Sequence, residues 1–147
     1  MRNRIQVMHG VNFDVLHRRP AMVYGDFDLR ALERRIEGFA QEMGLEARCF
    51  QTNHEGEFVE ELHRAPDYAD AIVLNPGAWT HYAYAIRDAV ELTGLPAYEV
   101  HLSDIEAREE FRKVSVIRDV CIGAVWGKGP DGYRDALAAL KDVLSGA

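Results

Sequence analysis

Ala71-Ile72-Val73-Leu74-Asn75 runs directly into Pro76-Gly77-Ala78-Trp79-Thr80-His81, and Ala85, Ile86, Ala89 and Val90 follow at helical spacing. A short apolar run closed by a Pro-Gly turn reads as a strand buried on both faces, and the pattern after it as a helix. The same order recurs on either side. Strands are expected at Ile5–His9, Ala47–Thr52, Ala97–His101 and Val120–Val125. Helical faces are marked by Leu29, Leu32, Ile36, Phe39, Ala40 and Met43, with Gly44 as terminator, and by Phe58, Val59 and Leu62. Asp104–Phe111 reads as a short fourth helix, and Tyr133, Leu137, Leu140 and Leu144 stripe the last. Five β-α units in this order imply an α/β fold, with a five-stranded parallel sheet and helices on both faces.

The composition fits one domain over residues 1–147, with 48% hydrophobic and 28% charged residues and no internal repeat or linker. A formal net charge of −7 argues against a nucleic-acid surface, although a local basic patch around an anionic ligand remains open. Cys49 and Cys121 each sit in an apolar run and read as buried, reduced thiols rather than a disulfide or a metal pair. The start MRNRIQVMHG has no apolar stretch long enough for a signal peptide, and no later run approaches a membrane span. A cytoplasmic protein with no membrane partner is expected.

In such a fold, a site forms outside the carboxyl ends of the strands. There the chain places His9-Gly10-Val11-Asn12, Gln51-Thr52-Asn53-His54-Glu55-Gly56, Asn75 to His81, and Glu99-Val100-His101-Leu102-Ser103. One polar loop is ordinary turn chemistry. Four at one end predict a polar pocket.

Glu99 and His101 stand two apart on a strand, so both side chains share a face. A carboxylate that fixes an imidazole tautomer is an acid–base arrangement, and a solvated strand-end histidine is the plainer alternative. The long connection from Gly10 to about Asp26 has the length of a lid and carries Arg19 and Tyr24. A tyrosine at its usual pKa of about 10 is roughly 0.1% ionised at pH 7, so a phenolate base would need a neighbouring cation. A basic loop over a packed tyrosine is the simpler reading. Asn12 and Asn75 offer amides to a developing oxyanion, or serve as turn residues. Arg108 and Arg112, four apart on the expected helix, either pair with Glu109 and Glu106 or bind a carboxylate.

The histidines have no metal-ligand spacing, and no metal or cofactor is expected. Gly127-Lys128-Gly129 lacks the spacing and the Ser/Thr of a phosphate loop. The loop after strand one also lacks the clustered acids of a response receiver.

Taken together, the chain resembles the type II 3-dehydroquinate dehydratases from Met8 to Leu140. The most specific segments are Asn75-Pro76-Gly77-Ala78-Trp79-Thr80-His81 with Arg87-Asp88-Ala89, and Glu99-Val100-His101-Leu102-Ser103 running on to Arg108-Glu109-Glu110-Phe111-Arg112. Gln51 to Gly56 and Gly123…Gly127-Lys128-Gly129…Gly132-Tyr133 add to it. The resemblance implies a flavodoxin-like, doubly wound fold and a homo-oligomer, a dodecamer built from trimers, with no cofactor. It implies reversible dehydration of 3-dehydroquinate to 3-dehydroshikimate, in aromatic biosynthesis or quinate breakdown. Tyr24 would take the proton α to the ketone, with Arg19 depressing its pKa, and Asn12 would stabilise the enolate through a water. His101, oriented by Glu99, would protonate the departing hydroxyl. Asn75, His81, Leu102, Ser103 and Arg112 would hold the substrate, and Asp88 would approach a neighbouring subunit's site.

The chain departs from the family pattern in the lid, where His17 replaces a glycine and Pro20 an acid, and beyond Arg112, where Val116, Arg118 and Asp119 replace Tyr, Ser and Pro. Two other readings therefore accompany the dehydratase: a lyase of the same fold for a related cyclic hydroxy-keto acid, and a non-catalytic oligomer that binds one. Retention of Tyr24, Arg19, Asn12, Glu99 and His101 together argues against the binder, which needs neither base nor acid.

Overall fold

The computed structural model describes residues 2–21 and 27–146. Its sheet contains β1 (Arg4–His9), β2 (Glu46–Gln51), β3 (Ala71–Asn75), β4 (Ala97–His101) and β5 (Gly123–Trp126). The spatial order is β2-β1-β3-β4-β5 and every neighbouring pair is parallel. That is the doubly wound, flavodoxin-like order, whose switch point lies between β1 and β3.

The helices α1 (Leu29–Glu42), α2 (Glu55–Arg64), α3 (Tyr84–Thr93) and α4 (Asp131–Leu144) cover the two faces in pairs. Side chains alternate along each strand and so divide the core in two. Ile5, Val7, Val73 and Val100 meet Leu32 and Ile36 of α1 and Leu137 and Leu140 of α4. Met8, Ile72 and Leu74 meet Phe58 and Leu62 of α2 and Ile86 and Val90 of α3 on the other face. Each such aliphatic side chain, once fully buried, contributes about 1.5–3 kcal/mol. Asp28 caps α1, its carboxylate accepting from the Ala31 N–H at 2.8 Å. Gly94 ends α3 at φ 67°, a left-handed position that glycine takes without steric cost.

Three sequence expectations are corrected. Asp104–Phe111 is not a helix: it forms two 3-10 turns, Ile105–Ala107 and Glu110–Lys113, joined by extended backbone at Arg108 and Glu109. Local helix propensity is good here, but Glu106, Glu109 and Glu110 would stack like charges at i,i+3 and i,i+4. Contacts with Ser103 and the site hold the segment open. Consequently Arg108 and Arg112 share no helix face, and the β4–β5 crossover contains no α-helix. The last strand also starts later than Val120, because Arg118–Val120 forms a 3-10 turn. Cys49 and Cys121 are free thiols, half-buried rather than buried, and burial pushes each up to about 12.

At the switch point, the Gly10 N–H donates to the Asn75 carbonyl at 2.9 Å. A Cβ on Gly10 would lie 2.2 Å from the Pro76 carbonyl oxygen, a backbone atom that cannot swing away. Gly10→Ala should therefore destabilise the protein by about 1–3 kcal/mol, as overpacking does. Urea unfolding would read this as a lower midpoint at unchanged slope; an unmoved midpoint would show that the β1 and β3 loops can separate freely.

Candidate active site

A cavity of about 240 Å³ opens at the carboxyl ends of β1, β3 and β4. Its polar floor comes from Asn75 and His101, the terminal residues of β3 and β4, and from Ser103 just beyond. Asn12 lines one wall from the loop after β1. Its φ of 73° is left-handed, which asparagine tolerates better than most residues. Asn53, beyond β2, fixes that turn by accepting from the Asn12 N–H at 2.8 Å.

Glu99 and His101 do share a face of β4. His101 Nε2 lies 2.5 Å from Glu99 Oε2, and Glu99 has no solvent exposure. The other carboxylate oxygen accepts from Ser115 Oγ at 2.9 Å, and Arg118 Nη2 approaches Oε2 at 3.4 Å. Burial pushes the Glu99 carboxyl upward. The bond and charge of His101, the Arg118 guanidinium and the Ser115 hydroxyl outweigh that and hold it below the usual carboxylate value. With Nε2 engaged, Nδ1 is the His101 nitrogen left for a ligand.

His81 stands across the cavity at the end of the 3-10 turn Gly77–His81. Its Nδ1 bonds the Val114 carbonyl at 2.7 Å. Burial holds the ring below the ordinary histidine value, so it is neutral at pH 7 and its Nε2 can accept from a hydroxyl. Beneath the floor, Asn75 Nδ2 donates to the Tyr133 hydroxyl at 3.2 Å, and that hydroxyl lies 2.9 Å from His9 Nε2. This buried relay fixes the Asn75 amide.

His9 is wholly buried and its pKa falls to about 3, desolvation being the cause. A histidine in the unfolded chain takes a proton below about pH 6.5. Between pH 6.5 and 3 the unfolded state therefore binds more protons and stability declines on acidification, by up to about 1.4 kcal/mol per pH unit. Glu99, with its depressed value, adds loss in the same direction only below about pH 4.5, where the unfolded carboxylate takes a proton. Urea midpoints measured from pH 7 to 4.5 should fall, and fall less steeply in His9→Gln; parallel slopes would remove His9 from the account.

Charge in the cavity runs opposite to the chain's net −7. Arg18, Arg19, Arg108 and Arg112 all line it. Arg112 Nε is 3.2 Å from each Glu109 carboxylate oxygen, and Arg108 Nη1 donates to Ser103 Oγ at 3.3 Å. Glu109 is thus the partner of Arg112; the expected pairing with Glu106 does not form part of this contact. Such a cluster suits an anionic ligand.

The cavity thus gathers Asn12, Arg19, Asn75, His81, His101, Leu102, Ser103 and Arg112, with Glu99 directly behind His101. Asp88 is elsewhere, exposed on α3. Tyr24 lies outside the described residues. Sequence reasoning missed Ser115 and Arg118 behind Glu99, and Tyr133 and His9 beneath Asn75. The substitution at Arg118 was the one available signal, and periodicity could not link it to Glu99.

The dehydroquinase class II family model matches residues 3–141. The chain belongs to the class II dehydroquinase family. A curated 3-dehydroquinate dehydratase of Pelotomaculum thermopropionicum is 50% identical over 136 residues, covering 92% of this chain and 94% of that one. The type II dehydroquinase from Butyrivibrio crossotus superposes with a TM-score of 0.92 at 38% identity, over 95% of this chain and 98% of that one. The type II dehydroquinase from Propionibacterium acnes gives 0.90, also at 38% identity, over 97% and 98%. The similarity to these dehydroquinases therefore spans the sheet, the helices and the loops that build the cavity. Among the described residues, no helix is long and apolar enough to cross a membrane.

Proposed function

We propose that this chain is a 3-dehydroquinate dehydratase, a hydro-lyase that converts 3-dehydroquinate into 3-dehydroshikimate and water through an enolate. The observation that carries the reading is the His101–Glu99 pair, 2.5 Å apart, at the floor of an arginine-lined cavity in a chain of this family. Elimination of a β-hydroxyl needs a base at the carbon α to the ketone and an acid at the leaving oxygen. Tyr24 as phenolate takes the α-proton, and the C–H electron pair moves into the enolate. Arg19 favours the phenolate, and Asn12 stabilises the enolate oxygen through a water. The enolate then expels the hydroxyl as the C–O bond breaks, and His101 Nδ1 supplies the proton that makes it water. The product leaves Tyr24 neutral and His101 deprotonated, so one proton passes back to His101 to close the cycle. No step calls for a cofactor or a metal.

Glu99 orients His101 and carries the balancing negative charge. Asn75, His81, Leu102 and Ser103 contact the ring and its hydroxyls, and Arg112 holds the carboxylate. The single domain works in the cytoplasm, with neither nucleic acid nor membrane as partner. In the homo-oligomer, a dodecamer of trimers, Asp88 reaches the neighbouring copy's site. Tyr84 and Leu92, on the same helix as Asp88, are 66% and 76% exposed, and the nearby Tyr82 is 58% exposed, which supports a protein contact there. Light scattering should return a mass many times the 16.6 kDa of one chain; an active species at one-chain mass would refute the assembly and the shared site.

The test of function is direct. Purified protein mixed with 3-dehydroquinate should generate the ultraviolet absorbance of a conjugated enone. No absorbance change under any condition that keeps the protein folded would overturn the reading.

A further inference from the structure

Arg118 stands where the family pattern has a serine, and its side chain points at the buried partner of the acid. Glu99 Oε2 receives His101 Nε2 at 2.5 Å on one side and Arg118 Nη2 at 3.4 Å on the other. The guanidinium lies over the Trp126 ring, 4.6 Å from its centroid. Trp126 pairs with His101 across β4 and β5, so the ring and the imidazole are neighbours on one face of the sheet. The segment that presents Arg118 is pinned as well: Arg87 Nη1 donates to the Val116 carbonyl at 2.9 Å and lies 3.5 Å from Asp119 Oδ2. A flat cation is therefore clamped between an indole face and a carboxylate with no solvent exposure, a geometry in which charge is little screened.

Building on the proposed dehydratase reading, we propose that Arg118 is a positioning residue that acts through Glu99 to keep His101 able to give up its proton. A lone buried carboxylate against an imidazolium binds the proton too well, and His101 would become a sluggish acid. Sharing Glu99 Oε2 with a guanidinium removes part of that attraction and fixes the carboxylate plane, and thereby the direction of His101 Nδ1. The groups that face the pair from other elements do not duplicate this role. Ser115 donates a neutral hydrogen bond to Oε1. Burial pushes the Cys121 thiol up to about 12, so it stays uncharged in the working range. Burial likewise keeps His81 neutral, and Arg112 is engaged with Glu109.

The experiment compares the parent with Arg118→Met, Arg118→Gln and Arg118→Lys by two readouts: steady-state kinetics on 3-dehydroquinate against pH, and 15N NMR of the His101 ring against pH, which needs no turnover. The uncharged variants should lose about tenfold in kcat, as loss of a residue that orients a functional group does, with KM changed by less than about twofold. Their alkaline limb, and the pH at which the His101 ring releases its proton, should both move up by about one pH unit. The lysine variant should recover most of both. An unmoved His101 titration in folded uncharged variants would overturn the proposal, as would a lysine variant that loses as much as methionine. If neither uncharged variant folds, the Arg118 guanidinium signal of the parent decides. It must shift as His101 titrates, and a flat response counts against the role. A parent inactive on 3-dehydroquinate would refute the dehydratase reading instead, while the ring titration would still judge Arg118.

Discussion

Tyr24→Phe should lower kcat by about three orders of magnitude, within the 10² to 10⁴ that loss of a general base usually costs. The substitution removes one oxygen and, on the proposed mechanism, the step that creates the enolate. A base is needed because a carbon acid α to a ketone does not release its proton to water at a useful rate near neutrality. Water drawn into the cavity is a far weaker base than a phenolate. Arg19 lines the cavity, and on the proposed mechanism it is the cation that favours the phenolate. KM should change little, since the hydroxyl contributes mainly to the transition state. Thermal unfolding and light scattering on the variant separate this from a folding defect. Near-normal turnover in a folded Tyr24→Phe protein would place the base elsewhere.

His101→Ala should cost a comparable factor, about 10² to 10⁴ in kcat, but for the opposite proton. Hydroxide is a poor leaving group, and the proposed mechanism makes the imidazole the donor that converts it to water. Removing the ring also leaves the buried Glu99 carboxylate facing Arg118 and Ser115 alone among its observed side-chain partners. Some loss of stability is therefore expected as well, read as a lower urea midpoint. Turnover within tenfold of the parent would mean that another group delivers the proton.

Much of the fold was legible because strands buried on both faces leave short apolar runs that helical patterns do not mimic. Ala71–Leu74 and Ala97–His101 are of that kind, and both strands stand where the sequence places them. The Glu99–His101 pair was legible for the same reason, since strand periodicity alone puts i and i+2 on one face. Where local propensity and tertiary contacts disagree, the reading failed. Glu106 to Glu110 look helical, yet the segment opens at Arg108 so that Arg108 reaches Ser103. Val120, Cys121 and Ile122 look like strand, yet Val120 closes the 3-10 turn Arg118–Val120, which follows the buried Ile117 and carries Arg118 to Glu99.

Arg19, before Pro20, is extended at φ −88° and ψ 155°, as the proline ring demands of its neighbour. His17 sits in the 3-10 turn Phe13–Arg18 and does not use the left-handed freedom of the glycine it replaces. Asn12, at φ 73°, is the one non-glycine residue with positive φ among the described residues. The histidine thus imposes no backbone strain in this conformation.

In the proposed mechanism, proton removal and loss of the hydroxyl are two separate steps served by two separate residues. Proton NMR of 3-dehydroquinate in D2O with the folded His101→Ala variant tests this most directly. The enolate should form and be quenched by deuterium, so the α-proton signal should disappear while almost no 3-dehydroshikimate accumulates. An α-proton that stays in place while the parent protein eliminates water, or product formed at the parent's rate, would contradict it.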